Sequence, residues 1–239
     1  MLCTRSCFMG RRFFILFFFV VGLLQAQLSH DNWNDLLQQY VSEKGEVDYD
    51  NFDRSALEDY LNYLGTNTPE DQWTKADRLA YYINLYNAAT VALILDNYPL
   101  QSIKDLKKPW GRKWIRHGDQ TISLNHIEHG ILRKMNEPRI HFAINCASIS
   151  CPNLANTAYT PHELESQLQQ ATKAFFTDTT KNDFRGSTPK ISALFKWFKK
   201  DFTQNGSLAD YINPYLDQTL GPKTKFEYLT YDWGLNKKP

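Results

Sequence analysis

The sequence predicts an α+β fold, a single mainly helical domain packed on a small, mostly antiparallel sheet. Three observations predict it. Several segments carry apolar residues at helical spacing behind helix-start signatures. Residues 139–146 instead alternate with a period of two. Residues 27–239 show no internal repeat, linker or low-complexity tract, so one domain is the economical reading.

Residues 31–64 read as helix around a turn at 44–48, from Trp33, Leu36, Leu37 and Tyr40 and then Leu57, Tyr60, Leu61 and Leu64. Thr68, Pro69, Glu70 and Asp71 read as a helix start: a capping hydroxyl, a proline at the first position, acids facing the dipole. The helix expected at about 74–97 is apolar nearly all round, the mark of a buried helix. Asn97, Tyr98 and Pro99 end it. Residues 100–122 read as loop and short strand. Asn125 and Glu128 have capping-box spacing for a helix to about 135.

In 139–146, Ile140, Phe142 and Ile144 are expected on one face of a strand and His141, Ala143 and Asn145 on the other. A Ser/Pro/Asn-rich loop follows at 147–159. Thr160, Pro161 and Glu163 begin a helix carrying Leu164, Leu168, Ala171 and Phe175. A short strand near 184–191, a helix at 193–202, a Ser207-capped helix to about 217 and a strand-like tail at 225–231 complete the prediction.

The formal net charge is +1, from 27 basic and 26 acidic residues. Residues 1–26 contribute Arg5, Arg11 and Arg12 and no acid, so the remainder carries −2. A body this near neutrality argues against nucleic acid as a partner, which needs many basic phosphate contacts. It also argues against a polybasic membrane patch. Arg11 and Arg12 precede an apolar run at 13–24, and Leu24, Gln25 and Ala26 offer a small residue at a cleavage position. That order reads as a secretory signal peptide over 1–26, with the domain at 27–239. The run's 12 residues fall short of the roughly 20 a spanning helix needs, so no permanent membrane anchor is expected. The destination is the periplasm or the extracellular space. Cys3 and Cys7 would leave with the signal, and Cys146 and Cys151 would remain in an oxidising compartment.

Four blocks are familiar in order: INLYNA at 83–88 behind Arg78, IEHGILR at 127–133, RIHFAINC at 139–146 followed by SCP at 150–152, and YDWGLN at 231–236. They resemble the blocks of domain-of-unknown-function family 547. One departure is Ala147-Ser148, where many members carry Gly-Ala or Gly-Ser. The resemblance implies a fold and leaves activity to be argued from the site.

Asn84 and Asn87 lie three apart on the buried helix. Unpaired buried amides cost about 1–3 kcal/mol each, so they either pin a loop or orient a catalytic group or substrate carbonyl. At 100° per residue, His126, His129, Gly130 and Arg133 share a helix face, a candidate surface for an anionic or carbonyl-bearing ligand. Gly130 suggests close approach by another segment or a ligand. Arg78 and Asn145 complete the candidate ligand-binding set with Asn84, Asn87, His126 and Arg133.

The candidate catalytic set is Cys151 and Cys146 as nucleophiles, His129 and His141 as bases, and an Asn or Asp232 as orienter. The opposing reading is a structural Cys146–Cys151 disulfide, which would disarm both thiols. A redox pair is a third reading, although the spacing is not C-x-x-C. No metal is expected, since His126 and His129 lack H-E-x-x-H spacing and a marked third ligand. No cofactor is expected, since no nucleotide fingerprint or phosphate loop is present. The partner is expected to be a small molecule, a peptide or a protein. Two roles remain open: a binding domain, in which the His126/His129/Arg133 face and aromatic residues such as Trp110 and Trp114 hold the ligand, and a cysteine–histidine hydrolase or acyl transferase acting on amide or ester bonds. Binding is favoured.

Overall fold

Helix α3 (Lys75–Leu95) is the axis on which the remaining elements are laid, and every residue from Leu79 to Leu95 is buried. The computed structural model describes residues 28–239. The signal peptide expected at 1–26 lies outside them. Among the described residues no helix is long and apolar enough to cross a membrane.

Before the axis come α1 (Asp31–Tyr40) and α2 (Arg54–Thr66), the latter capped by Asp53, which accepts from Ala56 N at 3.0 Å. Helix α2 packs on both α1 and α3. The axis does not begin at Thr68. Thr74 and Asp77 bond each other's backbone N–H groups in a full capping box, and residues 68–73 form the approach. A reciprocal box satisfies two helix-end donors at once.

After α3, β1 (Ile115–His117) and β2 (Gln120–Ile122) form an antiparallel hairpin with Ile115 opposite Ile122. Residues His126–Ile131 then form a π-helical turn and Leu132–Met135 a 3-10 turn, in place of one regular helix. Asn125 makes no side-chain cap; Ser123 Oγ accepts from His126 N at 3.1 Å instead.

The strand expected at 139–146 is α4 (Ile140–Ala143), a single helical turn followed by extended chain. The alternation of polarity there is not an alternation of exposure. His141 is as buried as Ile140 and Phe142, because it has a partner inside. Helix α5 (Leu164–Thr177) packs on α4 and starts later than Thr160, whose backbone N–H bonds Gln167 Oε1 at 2.9 Å. The helix expected at 193–202 is two short ones, α6 (Leu194–Trp197) and α7 (Lys199–Phe202), separated by Phe198. Ser207 caps α8 (Leu208–Ile212) through a capping box with Asp210, and a 3-10 turn replaces the rest of that helix. The second pair of strands, β3 (Lys190–Ile191) and β4 (Glu227–Tyr228), is parallel. The sheet component is therefore two separate two-stranded pieces beside a mainly helical body.

Two apolar clusters result. One surrounds α1, α2 and α3; the other joins Phe142 to Phe175, Phe176, Phe195 and Phe202. Helix α4 contributes to both, which brings His141 between them. The last segment, 231–236, runs along the loop after Ile144: Ile149 N bonds Gly234 O at 2.8 Å and Asn236 N bonds Ala147 O at 3.3 Å.

Candidate functional site

That return of the chain end closes a cavity of about 240 Å³. Its walls are Trp110, Trp197, Phe198, Tyr231 and Trp233, from three separate stretches of chain. Its polar side is Tyr86, Glu128, His129 and His141, and the Cys146–Cys151 pair lies on one edge. A cleft bordered by Glu70, Gln72 and Asp77 is larger, at about 670 Å³, but gathers no comparable set of buried ionisable groups.

Glu128 is the residue the sequence placed least well. It is not a capping acid. The π-helical turn buries it, and its Oε2 accepts from the Tyr86 hydroxyl at 3.3 Å. Its Oε1 is 3.7 Å from His129 Nδ1, beyond hydrogen-bond reach. Burial pushes the carboxyl up to about 7, against the opposing pull of Tyr86 and Arg133.

Beside it, Arg133 donates to both oxygens of Asp201, Nε to Oδ2 at 2.6 Å and Nη2 to Oδ1 at 2.9 Å. His141 Nε2 bonds Asp201 Oδ2 at 2.8 Å, and its ring stacks on Phe198 with centroids 4.0 Å apart. Burial works to raise the Asp201 carboxyl, but Arg133 and His141 outweigh it and hold the group well below the usual carboxylate range. Burial lowers His141 and His129, so both imidazoles are neutral at pH 7. Arg133 Nη1 lies 3.2 Å from His129 Nδ1. A guanidinium only donates, so neutral His129 carries its proton on Nε2.

The sulfur atoms of Cys146 and Cys151 are in disulfide contact, with Cα atoms 6.3 Å apart. Ser148 Oγ donates to the Tyr231 hydroxyl at 3.1 Å, and that hydroxyl donates to Cys151 Sγ at 3.2 Å. Burial pushes the Tyr231 phenol up to about 12, so it stays protonated. Among the described residues no histidine nitrogen hydrogen-bonds either sulfur. Asp232 accepts from Gly234 N and orients no imidazole. The Cys–His nucleophile therefore has neither a free thiol nor an attached base in this geometry.

The other candidates divide cleanly. Asn84 pairs with both N and O of Tyr159, at 3.0 and 2.7 Å. Asn87 pairs with Ala143 O at 2.9 Å and Asn145 N at 2.8 Å. Asn145 bonds Pro152 O and Ala147 N. These three amides hold loops and do not face the cavity. Arg78 is remote from it, bonded to the carbonyls of Glu70, Asp71 and Trp73. His126 is exposed and does not line it; a Cβ on Gly130 would meet His126 Nδ1 at 3.0 Å, so the close approach at Gly130 is this ring. The π-helical turn replaces the 100° spacing that put His126 beside His129. Of the two tryptophans expected to hold a ligand, Trp110 lines the cavity and Trp114 does not. Asp201, Trp197 and Trp233 were not singled out by the sequence, since no local pattern links positions this far apart.

Residues 70–176 match the family model described as Protein of unknown function, DUF547. The match agrees with the family that the sequence blocks resemble. The matched segment supplies the polar side of the cavity and the cysteine pair, while α6, Phe198 and the tail carrying Tyr231 and Trp233 follow the DUF547 match. No curated protein and no solved structure matches the chain.

Proposed function

We propose that the chain is an exported small-molecule-binding domain and that the aromatic cavity beside Glu128 is its site. The carrying observation is convergence. Stretches around residues 110, 128, 141, 197 and 231 bring aromatic walls and a few perturbed polar groups to one concavity. At about 240 Å³ it is smaller than the roughly 300–1,000 Å³ pockets of drug-sized ligands. Its occupant is then a small molecule or one group of a larger one. Apolar ring surface supplies affinity, and Glu128 Oε1 with His129 Nε2–H supplies orientation.

A fragment screen followed by NMR tests this. Binders should shift the indole N–H signals of Trp197 and Trp233, and Trp233→Ala should remove the binding while the fold persists. A screen whose hits all map elsewhere would sink the assignment. Export rests on Arg11, Arg12, the apolar run at 13–24 and Ala26. N-terminal sequencing of the secreted protein should begin at Gln27; an intact residue 1 would overturn it.

A further inference from the structure

Among the described residues, Glu128 is the one carboxylate lining the cavity, and its Oε1 accepts no hydrogen bond. Arg133, the cation beside Glu128, is already matched by Asp201 in two hydrogen bonds, with His141 on the same carboxylate. His129 and His141 are held neutral at pH 7 by burial, and Tyr86 and Tyr231 stay protonated. An ionised Glu128 therefore looks out on rings and no counter-charge of its own. Trp233 has its centroid 4.6 Å from that of Tyr231, 5.8 Å from Trp197 and 5.7 Å from Trp110. Ring faces are electron-rich and attract cations. One of these rings already does so, with Lys104 Nζ 5.1 Å from the Trp233 centroid.

We propose that the ligand of this cavity is an organic ammonium ion, its cationic head set between the aromatic walls and the free oxygen of Glu128. This rests on the binding reading above and adds the ligand's charge. An anionic ligand would bring its charge toward Glu128. A neutral one would leave Glu128 to neutralise itself by taking up a proton, and so would gain nothing from the carboxylate's charge. A cation satisfies the carboxylate and the ring quadrupoles together.

Protons link to such binding. The groups facing Glu128 are Tyr86 from α3, Arg133 and His129 from the following turns, Asp201 from α7 and Tyr231 from the tail. A bound cation lowers the Glu128 carboxyl from about 7 and releases a proton. Affinity then rises with pH and levels off above about 7. Protonated His129 would repel the same cation at lower pH, so its contribution has the same sign.

The test titrates the full chain, ¹⁵N-labelled, with choline, with its uncharged isostere 3,3-dimethyl-1-butanol and with indole, following the tryptophan indole N–H signals. Choline should bind saturably at the cavity tryptophans, about tenfold or more tighter than the isostere. Its affinity should climb from pH 5.5 to 7.5. Glu128→Gln should weaken choline about tenfold and leave only the His129 part of the pH dependence. Equal binding of alcohol and choline, or shifts from indole alone, would overturn the ammonium assignment while the cavity remains a binding site. No cavity shift with any of the three would overturn both. The choline and alcohol comparison on the unmutated chain decides the matter even where Glu128→Gln does not fold.

Discussion

Arg133 and Asp201, 68 positions apart in sequence, meet in two parallel hydrogen bonds, and this pair ties the turns after β2 to α7. A fork-to-carboxylate pair is directional as well as charged, so it fixes the angle at which α7 approaches. Asp201→Asn keeps the shape and removes the charge. It leaves Arg133 half-buried without a counter-ion and His141 without its ionic acceptor. The expected loss is about 2 kcal/mol in urea denaturation. The sign with pH follows from the depressed carboxyl: this stability is present above the unfolded-state value of about 4 and is lost as pH falls below it. An Asp201→Asn variant as stable as the parent at pH 7 would show that the pair contributes nothing.

Glu128 carries the opposite linkage. Its folded carboxyl sits at about 7 against about 4.3 unfolded. The folded state therefore binds more protons between those values, and stability falls as pH rises through that window. Glu128→Gln should flatten the curve there and gain up to about 3 kcal/mol at pH 8. Chemical denaturation at pH 5 and pH 8 measures it. Parallel pH dependence in parent and variant would place the titration elsewhere.

Asn87 illustrates which parts of the molecule the sequence made legible. Its position on an all-round apolar helix required partners, and the structure supplies them at Ala143 and Asn145. Asn87→Ala strands the Asn145 N–H and the Ala143 carbonyl, with an expected cost of about 2–3 kcal/mol. A near-neutral change in thermal or urea denaturation would overturn it. The α3 axis was legible for the same reason: burial on all sides leaves a composition signal. The 139–146 segment was not, because a buried histidine mimics the outward residue of a strand until Asp201 is known to meet it. The cavity was less legible still. Its walls come from residues more than a hundred positions apart, joined by a C-terminal return that no local periodicity records. Glu128 showed capping-box spacing, yet a π-helical turn directs it inward.

The cysteine pair closes a loop with a sequence separation of 5. The chain-entropy account gives about 2 kcal/mol for a loop this short. Mass spectrometry after alkylation without reduction should find no label on the peptide carrying Cys146 and Cys151, and two labels after reduction. The double variant Cys146→Ala, Cys151→Ala should lose about 2 kcal/mol. Two labels on the non-reduced protein would return both thiols to chemistry.

Ala147 occupies the left-handed region at φ 59°, fully buried between the cysteine and Ser148. For a residue with a Cβ that conformation costs about 1–2 kcal/mol. Glycine adopts it freely. The surroundings hold the strained alanine in place: Asn145 Oδ1 accepts its N–H at 2.7 Å, and its carbonyl accepts from Asn236 N. Ala147→Gly removes the steric cost in the folded state and adds freedom to the unfolded one, and the two effects oppose. The first is the larger at positive φ, so the variant is expected to gain about 0.5–1 kcal/mol with unchanged cavity geometry. Denaturant titration of parent and variant with equal m-values checks it. A loss of stability would mean that the loop relaxes away from the left-handed conformation in solution, and with it the placement of Cys146 at the cavity edge.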